Sequence, residues 1–148
     1  MSESVFLTRE SLLEQKDELA IERVELSRGH VFVREMTASE KNIWERSLMK
    51  EVPILNARKG QPTSEYKTTL EDYRAKLAVC TVCDETGKLL FTMRDVKTLS
   101  NQLSASNMEV IADAASHLNK ITQEDQEEMV KNSEAEVKED SSLGSAEN

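Results

Sequence analysis

Tyr73-Arg-Ala-Lys-Leu-Ala-Val-Cys-Thr-Val-Cys-Asp-Glu-Thr-Gly-Lys-Leu-Leu-Phe-Thr92 is the stretch on which the reading of this chain turns. Together with the residues before it, its first half carries a helical period. Tyr66, Leu70, Tyr73, Leu77 and Cys80 recur at steps of four, three, four and three, the spacing of one helix face. The period predicts the longest helix of the chain over residues 64–83. Val79 and Val82 leave an alternative open, a strand over residues 77–83 that pairs with Leu89-Leu-Phe91. Asp84-Glu-Thr-Gly-Lys88 is turn chemistry, with Gly87 suited to positive φ. Phe91, Thr92, Asp95 and Val96 then combine a hydrophobic staple with a capping box, and so predict a helix start.

Downstream, Val96, Leu99 and Leu103 form one apolar stripe. Ala105, Met108, Ile111, Ala115 and Leu118 form a second, on another helix. Thr122 and Asp125 open a last short, mostly polar helix. Upstream, Ile21–Leu26 and Val31–Met36 flank Ser27-Arg-Gly-His30 and predict a β-hairpin. Val24, Leu26, Val31 and Val33 share its apolar face, with Arg23 and Glu25 turned outward. A lone hairpin is marginal in water, so this one must pack on the helices. Thr37-Ala-Ser-Glu40 is a capping box opening a helix to about Lys50, with Ile43, Trp44 and Leu48 on one face. Val52 to Pro62 reads as a loop punctuated by Pro53, Gly60 and Pro62. A short helix capped by Thr8, with Leu7 and Leu12 as a staple, precedes the hairpin.

These elements give a mainly α, α+β chain: a β-hairpin packed on a small helical domain, with a disordered acidic tail. The divisions are an N-terminal segment (1–19), the hairpin and helical domain (20–122), and the tail (123–148). The 148 residues carry a net charge of −9. Nine of the acidic residues, against two lysines, fall in residues 123–148, so the rest is nearly neutral. Small polar residues and repelling charge there offer too little apolar surface to offset the entropy of ordering. The balance argues against nucleic-acid binding, which needs Lys and Arg on the phosphates. No apolar run is long enough for a membrane span, and Met1-Ser-Glu-Ser4 has no signal-peptide character. A cytosolic protein with reduced thiols is expected.

Chemistry-bearing residues are few. Cys80-Thr-Val-Cys83 is a CxxC without a second pair, and His30 and His117 stand at no ligand spacing from it. It lies at the end of an apolar helix, so packing is expected rather than redox or zinc chemistry. Glu71-Asp72 and Glu127-Glu128 are neighbours in sequence, hence on different helix faces, and read as solvated. No phosphate loop, nucleophile elbow or metal-binding helix motif is present. The expectation is a protein that is not an enzyme and uses no cofactor. Trp44 suits either a core position or an interface anchor. Met36, Met49, Met93 and Met108 suit gap-filling or an adaptable binding surface. Trp44, Leu48 and Met49 are the candidate partner-binding residues.

The order of these pieces resembles a known family. A β-rich segment, Val31–Met36, passes through Thr37–Glu40 into an aromatic-containing helix. The Tyr73–Thr92 stretch follows, then Val96 and Leu99, a helix ending Ser116-His-Leu-Asn-Lys-Ile-Thr122, and an acidic tail. Over residues 20–125 this is similar to the tail assembly chaperones of long-tailed bacteriophages and prophages, most of all from Asp84 to Thr92. The resemblance implies a non-enzymatic, largely helical adaptor of the host cytoplasm. Its partners would be the tape measure protein, which it keeps soluble, and tail tube subunits, which it helps recruit. It would be absent from the mature virion. The alternative reading is a small acidic regulatory or adaptor protein that binds a transcription factor or another host protein. A third is a small redox protein using Cys80 and Cys83.

Overall fold

The computed structural model describes residues 3–131. The expected disordered tail lies outside them from residue 132 onward, while residues 123–131 are helical, as the Thr122–Asp125 cap predicts. The fold is the expected α+β mixture. In chain order the elements are α1 (Arg9–Glu14), β1 (Ile21–Leu26), β2 (Gly29–Arg34), α2 (Ala38–Ser47), β3 (Met49–Pro53) and β4 (Ser64–Thr68). They continue with α3 (Tyr73–Val79), β5 (Val82–Cys83), α4 (Val96–Gln102) and α5 (Ala105–Leu118), with a 3-10 turn at Met93–Asp95 leading into α4.

At the centre lies the apolar run from Ala75 to Cys83. Apart from the part-exposed Lys76, every residue of it is buried. A helix buried on all sides must be surrounded, and α3 is packed by α5, α4 and α2. The small side chains Ala75, Ala78, Ala112 and Ala115, all buried, keep α3 and α5 close. Thr81, fully buried, satisfies its hydroxyl by donating to the Leu77 carbonyl at 2.8 Å. The run then extends into β5, which adds to the hairpin and makes a three-stranded antiparallel sheet, β1-β2-β5. Phe32 faces Cys83 across the ladder, and Val33 faces Val82. The strand alternative for residues 77–83 thus holds only at the last two of them, of which Cys83 also bridges to Leu89.

The hairpin differs from the sequence expectation at its turn. Leu26 pairs with Gly29, so the turn is Ser27-Arg28 and the second strand runs from Gly29 to Arg34 rather than from Val31 to Met36. Val24 lies opposite Val31, which puts Val24, Leu26, Val31 and Val33 on one face as expected. Asn107 clamps the turn, accepting from the Ser27 N–H and donating to its hydroxyl, and so ties the hairpin to the first turn of α5.

The expected long helix over residues 64–83 is not formed. Residues 64–68 are strand β4, paired with β3 from Met49↔Thr68 to Pro53↔Ser64, and the helix begins only at Tyr73. The helical spacing of Tyr66 and Leu70 is coincidental, because both are exposed and neither reaches the core. The reversal sits at Asp72, whose φ of +53° is left-handed, a conformation that Asp tolerates better than most residues. The Asp72 carboxylate pairs with Lys97 at 2.7 Å and accepts from the Ser100 hydroxyl, so it anchors α4 rather than being solvated as expected. The loop expected over residues 52–62 is shorter at its start, since β3 includes Val52 and Pro53.

The helix expected to run to about Lys50 stops at Ser47, and Met49–Pro53 is strand instead. The turn and cap signals elsewhere hold. Gly87 has φ +92°, and the Asp84 carboxylate accepts from Thr86 and Lys88. Capping boxes close at Thr8–Ser11, Thr37–Glu40 and Thr92–Asp95. In α1, however, no residue is buried, and Phe6 just before it is 92% exposed.

The sheet is joined to α2 by one ion pair. Arg34, buried at the end of β2, donates from both terminal nitrogens to Glu40, at 2.8 and 2.7 Å. Glu40 at the same time accepts from the Thr37 N–H to complete the cap. This planar two-point pairing is the geometry in which arginine binds carboxylate most strongly. It holds the Glu40 carboxyl below its ordinary 4.5, through the Arg34 hydrogen bonds first, against the opposing effect of burial. A carboxylate with a depressed value in the folded state stabilises fully above its unfolded value, and the stabilisation is lost as pH falls through the folded one. Glu40→Gln should therefore lower the stability by about 2–3 kcal/mol near neutral pH, the low end for a broken buried pair because Glu40 keeps some exposure. Urea midpoints measured near pH 7 and near pH 3 should show the gap between wild type and variant closing in acid. An equal gap at both values would deny the ion pair its role.

Candidate client-binding groove

The last turn of α2, the start of β3, the end of β4 and the helical residues 123–131 enclose a groove of about 340 Å³. Its floor is Trp44, Leu48 and Ile121, with Met49 and Met129 at its edges. Trp44 and Leu48 stand four residues apart on α2, hence on one face, and are 2% and 3% exposed. Neighbouring helical residues point ~100° apart, so burying Trp44 leaves Ile43 46% exposed, off the face it was expected to share. Met49 follows where α2 gives way to β3, and is 42% exposed.

The three candidate residues are therefore brought together, but in different roles. Trp44 and Leu48 belong to the main core cluster, and only Met49 lies outside it, 42% exposed, its sulfur accepting from the Thr68 hydroxyl at 3.9 Å. The Trp44 ring meets Tyr73 edge-on, centroids 5.7 Å apart at 63°, a favoured aromatic geometry. Tyr73 in turn lines a second groove of about 450 Å³ beside Leu70, Leu103 and Met108. The aromatic pair thus forms the partition between two surface depressions. Among the described residues neither the Trp44 indole N–H nor the Tyr73 hydroxyl finds a hydrogen-bond partner, and burial raises the Tyr73 hydroxyl above its ordinary value.

The end of α2 is fixed by Lys76, which donates to the Ser47 carbonyl at 2.9 Å. The opposite wall is fixed by the Thr122–Asp125 capping box, with reciprocal bonds of 3.1 and 3.0 Å. Those bonds hold the Asp125 carboxyl below its ordinary value. Glu45, Asp125 and Glu128 line the groove against a single Lys41, so its rim is acidic. Sequence reasoning missed Thr68, Ile121 and Met129. The signal for the last two was the spacing Ile121, Asp125, Glu128, Met129, which is a helix face, read only as a polar helix.

Cys80 and Cys83 are buried free thiols. Burial pushes the Cys80 thiol up to about 11 and raises Cys83 as well, opposite to the depressed values of reactive thiols. Among the described residues no group of His, Cys, Asp and Glu comes together as a metal site. His30 stands edge-on to Phe32 at 5.6 Å, on β2, and His117 lies in the last turn of α5. No described helix is long and apolar enough to cross a membrane. Compared with family models, with curated proteins and with solved structures, the chain matches none.

A thiol reagent added to the native protein at about pH 8 should find both cysteines silent, since only the thiolate reacts. Both should titrate once the chain is unfolded in denaturant. Rapid reaction of either one in the native state would show an accessible, activated thiol and overturn the packing role.

Proposed function

We propose that this protein is a non-enzymatic tail assembly chaperone that holds an apolar helical stretch of a tape measure protein in the groove over Trp44, Leu48 and Met49. The observation that carries the reading is the groove itself. Its rigid apolar floor is part of the core, while its edges are two methionines, the side chains best able to adapt to varied apolar partners. An amphipathic helix seated in such a groove would bury side chains spaced three and four residues apart. A tape measure protein exposes long apolar helical stretches before the tail tube forms around it, and shielding them would prevent aggregation. The resemblance from Asp84 to Thr92 points the same way. It extends the proposal to recruitment of tail tube subunits, to action in the host cytoplasm and to absence from the finished particle. The strong negative charge of residues 123–148 would help keep the loaded complex in solution.

Co-expression with a tape measure fragment from the same gene cluster tests this. The protein should keep in solution a fragment that is insoluble alone. Met49→Glu should abolish that effect while leaving the melting temperature nearly unchanged, because Met49 is 42% exposed and lies outside the core cluster. Trp44→Ala is the wrong probe: it should cost about 3–5 kcal/mol as a core truncation and lose the client through unfolding. Failure to solubilise any fragment of the cognate tape measure protein would refute the reading.

A further inference from the structure

The register of the β3–β4 hairpin carries the groove further than its walls. Met49 pairs with Thr68, and Glu51 with Tyr66. Alternation along a strand therefore places Met49, Glu51, Tyr66 and Thr68 on one face of the hairpin. Met49 and Thr68 already line the groove, so the same face continues from it to Tyr66, which is 67% exposed. Lys50 and Lys67 pair on the other face. The hairpin's two lysines thus lie away from the groove, where Glu65 pairs with Lys67 at 3.7 Å, while Glu51 lies toward it. Glu51 is held there by the Ser64 hydroxyl, which donates to it at 2.6 Å.

We infer that the occupant of this extended surface is a cationic amphipathic helix, whose apolar face covers Trp44, Met49 and Tyr66 and whose lysines and arginines meet Glu45, Glu51, Asp125 and Glu128. The inference rests on the groove being the client site and adds the selection of the client by charge. Charge also decides against the occupants this chain could itself supply. Its exposed apolar N-terminal segment, Val5 to Leu13, lies among Glu3, Glu10 and Glu14 with only Arg9 to offset them. Residues 132–148 hold five acidic side chains and one lysine. A second copy, seated groove to groove, brings the same acidic rim of Glu45, Asp125 and Glu128. Each would set like charge against like, which costs binding and suppresses the wrong partner.

Two synthetic helical peptides with the same leucine face, one bearing lysines and the other glutamates, are to be titrated against the full chain. The lysine peptide should bind at least about 10-fold tighter at low salt, and the preference should shrink as salt screens the rim. Glu45→Lys with Glu128→Lys should reverse the preference, and Tyr66→Ala should weaken both peptides alike, by about 5-fold or more. Met49→Glu should abolish both. Equal binding of the two peptides, with both lost in Met49→Glu, overturns the charge selection and leaves the groove as the client site. Binding of both that survives Met49→Glu overturns the groove and the selection together. A dimer in sedimentation that Met49→Glu dissociates would put a second copy in the groove. A gain in lysine-peptide affinity on Phe6→Ala would put the chain's own N-terminal segment there. Either result overturns the choice of occupant.

Discussion

The burial of Ala75 to Cys83, all but Lys76, is the constraint from which the rest of the fold follows. A run this apolar cannot lie on a surface, and its helical part belongs to a helix of only seven residues, so it has to be wrapped by elements before and after it in the chain. α5 takes one side, where alanines let the helices approach, and α4 and α2 take others. The two-residue strand β5 gives the run its last neighbour, the hairpin. The backbone polar groups of the run are met within the same few residues. Thr81 caps the helix by its hydroxyl, its carbonyl accepts from the Arg34 N–H at 3.0 Å, and the Val82 carbonyl accepts from Leu90. Buried backbone is tolerable only when so paired.

Arg34 and Glu40 carry this arrangement outward to the groove. The arginine closes the end of β2 and the glutamate opens α2, so the direction in which α2 leaves the sheet is set by a two-point ion pair that also completes a helix cap. Four residues further along α2, Trp44 lands against Tyr73, and Leu48 lands beside it over the core. The floor of the groove is therefore made of the same side chains that stabilise the domain. Its more exposed parts, Met49 and Tyr66, sit on its edge and on the neighbouring hairpin, while Met129 packs half-buried against the core. Were a partner to bind there, rigidity and adaptability would fall to different residues, so stability and recognition are best probed at different positions.

Much of this was legible from the chain. The hairpin, the turn around Gly87, the stripe of α5 and the caps at Thr8, Thr37, Thr92 and Thr122 rest on interactions between residues near in sequence, at most 13 positions apart at the open end of the hairpin, and such signals survive in any tertiary setting. The groove was legible in part: Trp44 and Leu48 share a helix face by spacing alone, and Met49 follows them. Ile121 and Met129 lie more than 70 residues away in sequence, and nothing local says that they meet Trp44.

The sequence by itself determined the α+β class, most of the caps that start the helices, the packing role of Cys80 and Cys83 and the concentration of negative charge after residue 122. Only the tertiary structure decided that residues 64–68 form a strand, that Trp44 is core while Ile43 is surface, and that Asp72 ties α3 to α4. The reason is that helical periodicity reports where apolar side chains recur and not whether a core waits for them. Tyr66 and Leu70 keep the period but face solvent. The backbone hydrogen bonds of residues 64–68 are instead satisfied by β3, a partner no local pattern could name.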